Sequence, residues 1–200
     1  RGLGRSYGDS ALSEQVIELK NLTNFISFDE NEGLLHCEAG VTLDEILKVF
    51  VPKGWFLFVT PGTKFVTVGG AIASDVHGKN HHIDGSFSDH VTSFTLLQKD
   101  QLVTCSREKN TELFYATCGG MGLTGIITEA TFELRSIQSA DINQKIVKAK
   151  NLDAALQLFD KYEDYTYSVA WIDCLSTGNN LGRSLLMLGE HAEKGQLTPH

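Results

Sequence analysis

The residues of this chain that could do chemistry gather in three glycine-rich segments, "RGLGRSYGD" (1–9), "PGTKFVTVGGAIASDVHGK" (61–79) and "CGGMGLTG" (118–125). In the first, Gly4-Arg5-Ser6-Tyr7-Gly8 has the spacing of a nucleophile elbow, where a serine on a sharp strand-to-helix turn attacks an acyl carbon. The same glycines suit a loop whose backbone N–H groups wrap around a phosphate. The second segment runs into "HGKNHH", and His77, His81 and His82 are of a type that ligates zinc. Each reading makes a different demand on the elements around it.

An elbow needs a strand entering the serine and a packed helix leaving it, but "DSALSEQ" follows, without an apolar helical period. Zinc needs ligands fixed on a helix face or on rigid strands, and Gly78 and Asn80 disfavour that helix, so no metal site is expected. The Rossmann fingerprint fails on spacing, and "HGKN" lacks the upstream glycine and the Ser/Thr of a P-loop. The cradle remains. Glycine in loops carries an entropic cost, and its repeated use points to positive φ or to close approach of backbone to a ligand. Three such loops on one side of a domain would line a groove with N–H donors suited to a pyrophosphate. In such a groove Ser6 donates a hydrogen bond and does no chemistry. Thr67 to Ala73 is expected to form a helical turn whose first amides face the anion, with His77 and Lys79 emerging beside the ligand.

The elements that must position these segments are legible in part. "VIELK" (16–20), "FISF" (25–28) and "LLHCEAG" (34–40) read as strands. Thr42 with Glu45 three residues on is a capping box, Val41 and Ile46 form a hydrophobic staple, and Leu43, Ile46, Leu47, Phe50 and Val51 make one apolar stripe. Pro52 and Gly54 close that helix. A hairpin is expected around Lys99-Asp100-Gln101, a helix over 111–117 capped by Asn110, and a strand in which Ala130, Phe132 and Leu134 share a face. After Ser136 follow a polar strand, an amphipathic helix and the strand "YTYSVAWIDCL", so a domain boundary is placed near Ser139. The class is α+β, with mostly antiparallel strands, divided into residues 1–138 and 139–200.

Composition narrows the partners. The chain has 200 residues, 42% of them hydrophobic, and a formal net charge of −8, which disfavours nucleic acid and anionic membrane surfaces. No apolar run approaches the length of a membrane span. Cys37, Cys105, Cys118 and Cys174 show no metal or disulfide spacing and read as buried free thiols. Arg1 falls inside a glycine motif with no Met before it, and the sequence reads as a fragment.

Taken together, "RGLGRSYGDS", "PGTKFVTVGGAIASDVHGKNHH", "GSFSDHV", "CGGMGLTGIITEATFEL" and "YSVAWID" resemble the FAD-dependent oxidases of the vanillyl-alcohol-oxidase / p-cresol-methylhydroxylase (PCMH) fold. The resemblance implies a PCMH-type FAD-binding domain followed by the start of an α+β substrate domain. It implies FAD contacts from Arg1, Gly2, Leu3, Gly4, Arg5, Ser6, Tyr7, Gly8, Asp9, Gly62, Thr67, Val68, Gly69, Gly70, Ser74, Asp75, Val76, His77 and Ile126. Tyr7, His77, Lys79 and Trp171 match positions near the substrate, and His77 is the candidate proton acceptor within this chain. The family's lysine base is expected outside it. Relatives that attach flavin covalently use a histidine in the first loop; this one offers Tyr7 and neither His nor Cys, which implies non-covalent FAD. The chemistry implied is oxidation of a sugar secondary alcohol, free or lipid-linked. A reductase partner would complete an epimerisation, and the location implied is cytoplasmic or peripheral at the inner membrane. A polyol or aldonolactone oxidase of the same fold is the alternative.

Overall fold

In the computed structural model, which describes residues 1–198, the strands form two antiparallel sheets. The first contains β1 (Phe25–Asp29), β2 (Leu34–Glu38), β3 (Trp55–Leu57), β4 (Val91–Gln98), β5 (Gln101–Ser106) and β6 (Ile126–Ser136). Its order is β1-β2-β6-β4-β5, with β3 pairing on the far end of β6. β6 holds the centre because Ala130, Phe132 and Leu134 alternate inward, as the period of 2 predicts. Its partners β2 and β4 add Leu35, Cys37, Phe94 and Leu96 to the same core.

Three helices complete that core. α1 (Leu43–Phe50) buries Leu43, Ile46 and Phe50, and both halves of the Thr42/Glu45 capping box are made. α2 (Val68–Ala73) buries Val68, Ala71 and Ile72. A short turn, α3 (His81–Asp84), follows it, and α4 (Thr111–Thr117) buries Phe114 against Phe94, their rings stacked 5.2 Å apart. The second sheet contains β7 (Ile142–Ala149), β8 (Tyr167–Ile172) and β9 (Ser184–His191) in the order β7-β9-β8. α5 (Leu152–Lys161), capped by Asn151, contributes buried Ala155 to the face where Leu186 and Leu188 are covered.

Several expectations are corrected. Residues 16–20 form no strand: Val16 and Ile17 are exposed, and Leu19 donates one hydrogen bond to the Arg1 carbonyl at 3.0 Å in place of a ladder. Asn110 does not cap α4 with its side chain; its φ is 51°, and its amide nitrogen Nδ2 donates to the Thr104 carbonyl. The hairpin turn is the pair Lys99-Asp100, because Gln101 already pairs with Gln98. Cys37 and Cys105 are buried, but Cys118 is only partly so and Cys174 is exposed.

Candidate functional site

The three glycine segments meet on α2. At its N-terminal end Gly2 lies so close to the cap that a Cβ there would fall 2.3 Å from Thr67 Oγ1. At its C-terminal end Gly119 N donates to the Ile72 carbonyl and Met121 N to the Ala73 carbonyl, at 3.0 and 2.8 Å. A helix of 6 residues thus separates the first and third loops by about 9 Å at 1.5 Å per residue. Ile126 opens β6, half-buried, beside Ile127, on which Gly69 packs.

The donors differ from those the sequence suggested. Val68 N bonds the Val41 carbonyl, Gly69 N the Ala39 carbonyl, and Gly70 N the Thr67 hydroxyl, at 2.8, 2.9 and 3.2 Å. Ser74, Asp75 and Val76 donate to the carbonyls of Gly70, Ile72 and Ala71. The first turn of α2 therefore has no amides left for an anion, because the helix is held edge-on against the strand-to-helix corner at 39–42. The free amides belong to the first loop. Among the described residues, none accepts from the N–H groups of Gly2, Leu3, Gly4, Arg5 or Ser6. Gly8, at φ +64° with open space around it, turns the loop in a region that costs a residue with a Cβ about 1 kcal/mol. Leu3 to Ser10 are exposed, Tyr7 fully so. Ser6 precedes only a three-residue 3₁₀ turn, with no strand running into it, which is not the strand-to-helix setting of a nucleophile elbow.

Beyond α2 the chain carries the polar residues of the site. Ser74 is exposed. The Asp75 carboxylate is committed to its neighbours, accepting from Ser86 Oγ and Ser88 N, both at 3.0 Å. His77 is exposed, its ring 5.2 Å from that of His81, and Lys79 points outward. The two sheets meet here: Ser168 N of β8 donates to the Lys79 carbonyl at 2.9 Å, and His82 Nε2 is 2.9 Å from the Tyr165 carbonyl. Trp171, three residues further along β8, is 73% exposed and lies about 10 Å on at the rise of a strand. The structure thus places His77 and Lys79 on one exposed loop tied to β8, with Trp171 further along that strand, while Tyr7 stands out from the first loop. Gly62 has open space around it in the exposed approach to α2. Cys118, beside the third loop, has its thiol pushed up to about 11, chiefly by burial and then by Asp75, which leaves it protonated and inert at neutral pH.

Sequence reading passed over two contributors. β9 pairs with both β7 and β8 and so holds Trp171 in place; the near-continuous run of apolar residues in "SLLMLGEH" could have revealed it. Asn80, fully buried in the corner behind His77, gave no signal beyond its place in "HGKNHH".

An α+β unit in which two glycine-rich loops close on a short glycine-rich helix, with a second sheet tied to the segment that follows it, is the form of a flavin-binding protein of the PCMH type. The chain belongs to the FAD binding domain family, whose model matches residues 1–106. It is similar to decaprenylphosphoryl-beta-D-ribose oxidase of Mycolicibacterium smegmatis, with 41% identity over 98% of this chain and 44% of that protein. It is also similar to a putative D-arabinono-1,4-lactone oxidase of Neurospora crassa, 28% identical over 84% of this chain and 30% of the relative. Cytokinin dehydrogenase 2 of Arabidopsis thaliana is 29% identical over 67% of this chain and 27% of its own length. The chain spans less than half the length of these relatives. The residues present fit FAD: five consecutive unspent amides and a Cβ-excluding contact at Gly2 form the kind of cradle a diphosphate requires.

Proposed function

We propose that residues 1–138 are the FAD-binding domain and residues 139–200 the start of the substrate domain of an FAD-dependent oxidoreductase. Its reaction is oxidation of a sugar secondary alcohol to a ketone. The observation that carries this reading is the convergence of the first and third glycine loops on α2, with the amides of Gly2 to Ser6 left for a ligand. Backbone donors hold two negative phosphates without importing cations into a chain of net charge −8. FAD, when bound, supplies the hydride acceptor at N5.

The chain's own residues take the remaining roles. Arg1 to Asp9 wrap the diphosphate and ribityl chain; Gly62, Thr67 to Gly70 and Ser74 to His77 line the groove; Ile126 marks the adenine end. Thr67 to Gly70 and Asp75 serve through shape, since their polar groups are already bonded. His77 is the candidate proton acceptor among these residues, the lysine base that the resemblance implies being expected outside this chain, and Lys79, Tyr7 and Trp171 orient the sugar. FAD is held without a covalent bond, because no His or Cys lies in the first loop.

The 41% identity to a protein named for oxidising decaprenylphosphoryl-β-D-ribose supports a lipid-phosphate-linked pentose as substrate. Such a substrate would keep the protein at a membrane surface, and no helix among the described residues is long and apolar enough to cross one. A reductase that returned the ketone to an alcohol would complete an epimerisation. The similarity to an aldonolactone oxidase favours a second reading, a polyol or aldonolactone oxidase on the same fold. The test is anaerobic titration of the flavin-loaded full chain with each donor class. Bleaching of the flavin by the pentose donor supports the first reading and bleaching by the lactone the second. A flavin that no sugar bleaches, or labelling of Ser6 by a fluorophosphonate, rejects both.

A further inference from the structure

Behind the loop that carries His77 and Lys79 lies a buried polar chain that none of the roles above uses. Asn80 is fully buried, and its Nδ2 donates to the Phe58 carbonyl and to Asp84 Oδ2, both at 2.6 Å. The other carboxylate oxygen of Asp84, Oδ1, accepts from Arg135 Nη2 at 2.6 Å, with both side chains largely buried. Arg135 stands at the end of β6 with its guanidinium 4.6 Å over the Phe58 ring, and Phe58 stacks on His90 at 4.2 Å. His90 Nε2 in turn is 2.8 Å from the Asp84 carbonyl.

In the second sheet, His191 lines one cavity together with Arg135 and Phe58. Tyr167 Oη and His191 Nε2 share a hydrogen bond of 3.0 Å. Burial pushes the Tyr167 hydroxyl up and the nearby guanidinium opposes it; burial pushes His191 down and the same guanidinium adds to it. Tyr167 and Trp171 share one face of β8, since they are four residues apart on a strand.

We propose that Asp84 is a positioning residue of the site, one oxygen fixing the His77–Lys79 loop through Asn80 and the other locking that loop to the end of β6 through Arg135. The two oxygens serve different elements, which a purely local turn would not need. Among the described residues the loop's one backbone tie to β8 is the Lys79 carbonyl, and the Asp84 carboxylate adds a side-chain tie to β6. The inference rests on the reading of His77 and Lys79 as substrate-facing.

The test uses the flavin-loaded full chain and two variants, Asp84→Asn and Arg135→Gln, each measured well below its melting temperature. Misplacing reacting groups by a fraction of an ångström to one ångström lowers turnover by about 10- to 100-fold, so kcat should fall in that range while KM changes by less than about threefold. Asp84→Glu, which keeps the charge, should recover part of kcat. A second readout does not need turnover: amide hydrogen exchange across residues 76–83 should speed by about tenfold or more in both variants, with β7 unchanged. Should the wild-type protein oxidise no sugar, the functional reading fails and the exchange measurement alone decides the positioning role. Unchanged kcat in an active enzyme, or unchanged exchange across 76–83, overturns the proposal. If Asp84→Asn does not fold, Arg135→Gln decides by the same two readouts.

Discussion

At Gly2 a single missing methyl group decides whether the first loop can reach its place. A Cβ would fall 2.3 Å from Thr67 Oγ1, and that oxygen is already engaged in capping α2 through Gly70 N. Gly2→Ala must therefore displace either the loop or the cap, and we expect flavin affinity to fall by about tenfold, ~1.4 kcal/mol. Equilibrium dialysis of the purified variant against FAD measures this; an unchanged affinity would separate Gly2 from the site. The cysteines give a second residue-scale expectation. Burial, reinforced by Glu38, pushes the Cys37 thiol up to about 12, so it holds its proton at any ordinary pH. Cys174 is exposed near Trp171. Iodoacetamide at pH 8 should label Cys174 within minutes and Cys37 only after unfolding, with peptide mass spectrometry reading the order. Early labelling of Cys37 would contradict the packing of β2.

Among the elements, α1 was the most legible, because its stop signals, cap, staple and apolar stripe all agree. The structure makes both capping-box bonds, Glu45 N to Thr42 Oγ1 at 3.2 Å and Thr42 N to Glu45 Oε2 at 2.8 Å. Thr42→Ala should cost about 1 kcal/mol and lower the melting temperature by about 2–4 °C, read by thermal denaturation. Elsewhere the local pattern misled. Residues 16–20 alternate like a strand, yet no sheet edge is offered to them, and a strand exists only with a partner. For α2 the glycines and the Thr67 cap were readable, and the helix formed as expected. The destination of its amides was not: Val68 N and Gly69 N are claimed by the carbonyls of Val41 and Ala39, distant positions that only the folded corner brings near. The Asp84–Arg135 pair was hidden for the same reason, as its members are 51 residues apart.

At the scale of the whole molecule, two antiparallel sheets divide between Ser136 and Ile142 and touch again where Lys79 meets Ser168. The first sheet packs under α2, and the second meets the His77–Lys79 loop through Ser168, three residues before Trp171 on β8. This division of labour is common where a cofactor is held by one unit and a substrate by another. The central claim is that main-chain amides of the first loop, closing on α2, hold the diphosphate of FAD. The most direct test compares the affinity of the apo full chain for FAD and for riboflavin, which has the same ring system and no phosphate, by isothermal titration calorimetry. The account predicts that riboflavin binds at least about 100-fold more weakly, ~2.7 kcal/mol, with the gap narrowing by about tenfold in Gly2→Ala. Equal affinity for the two flavins would contradict it.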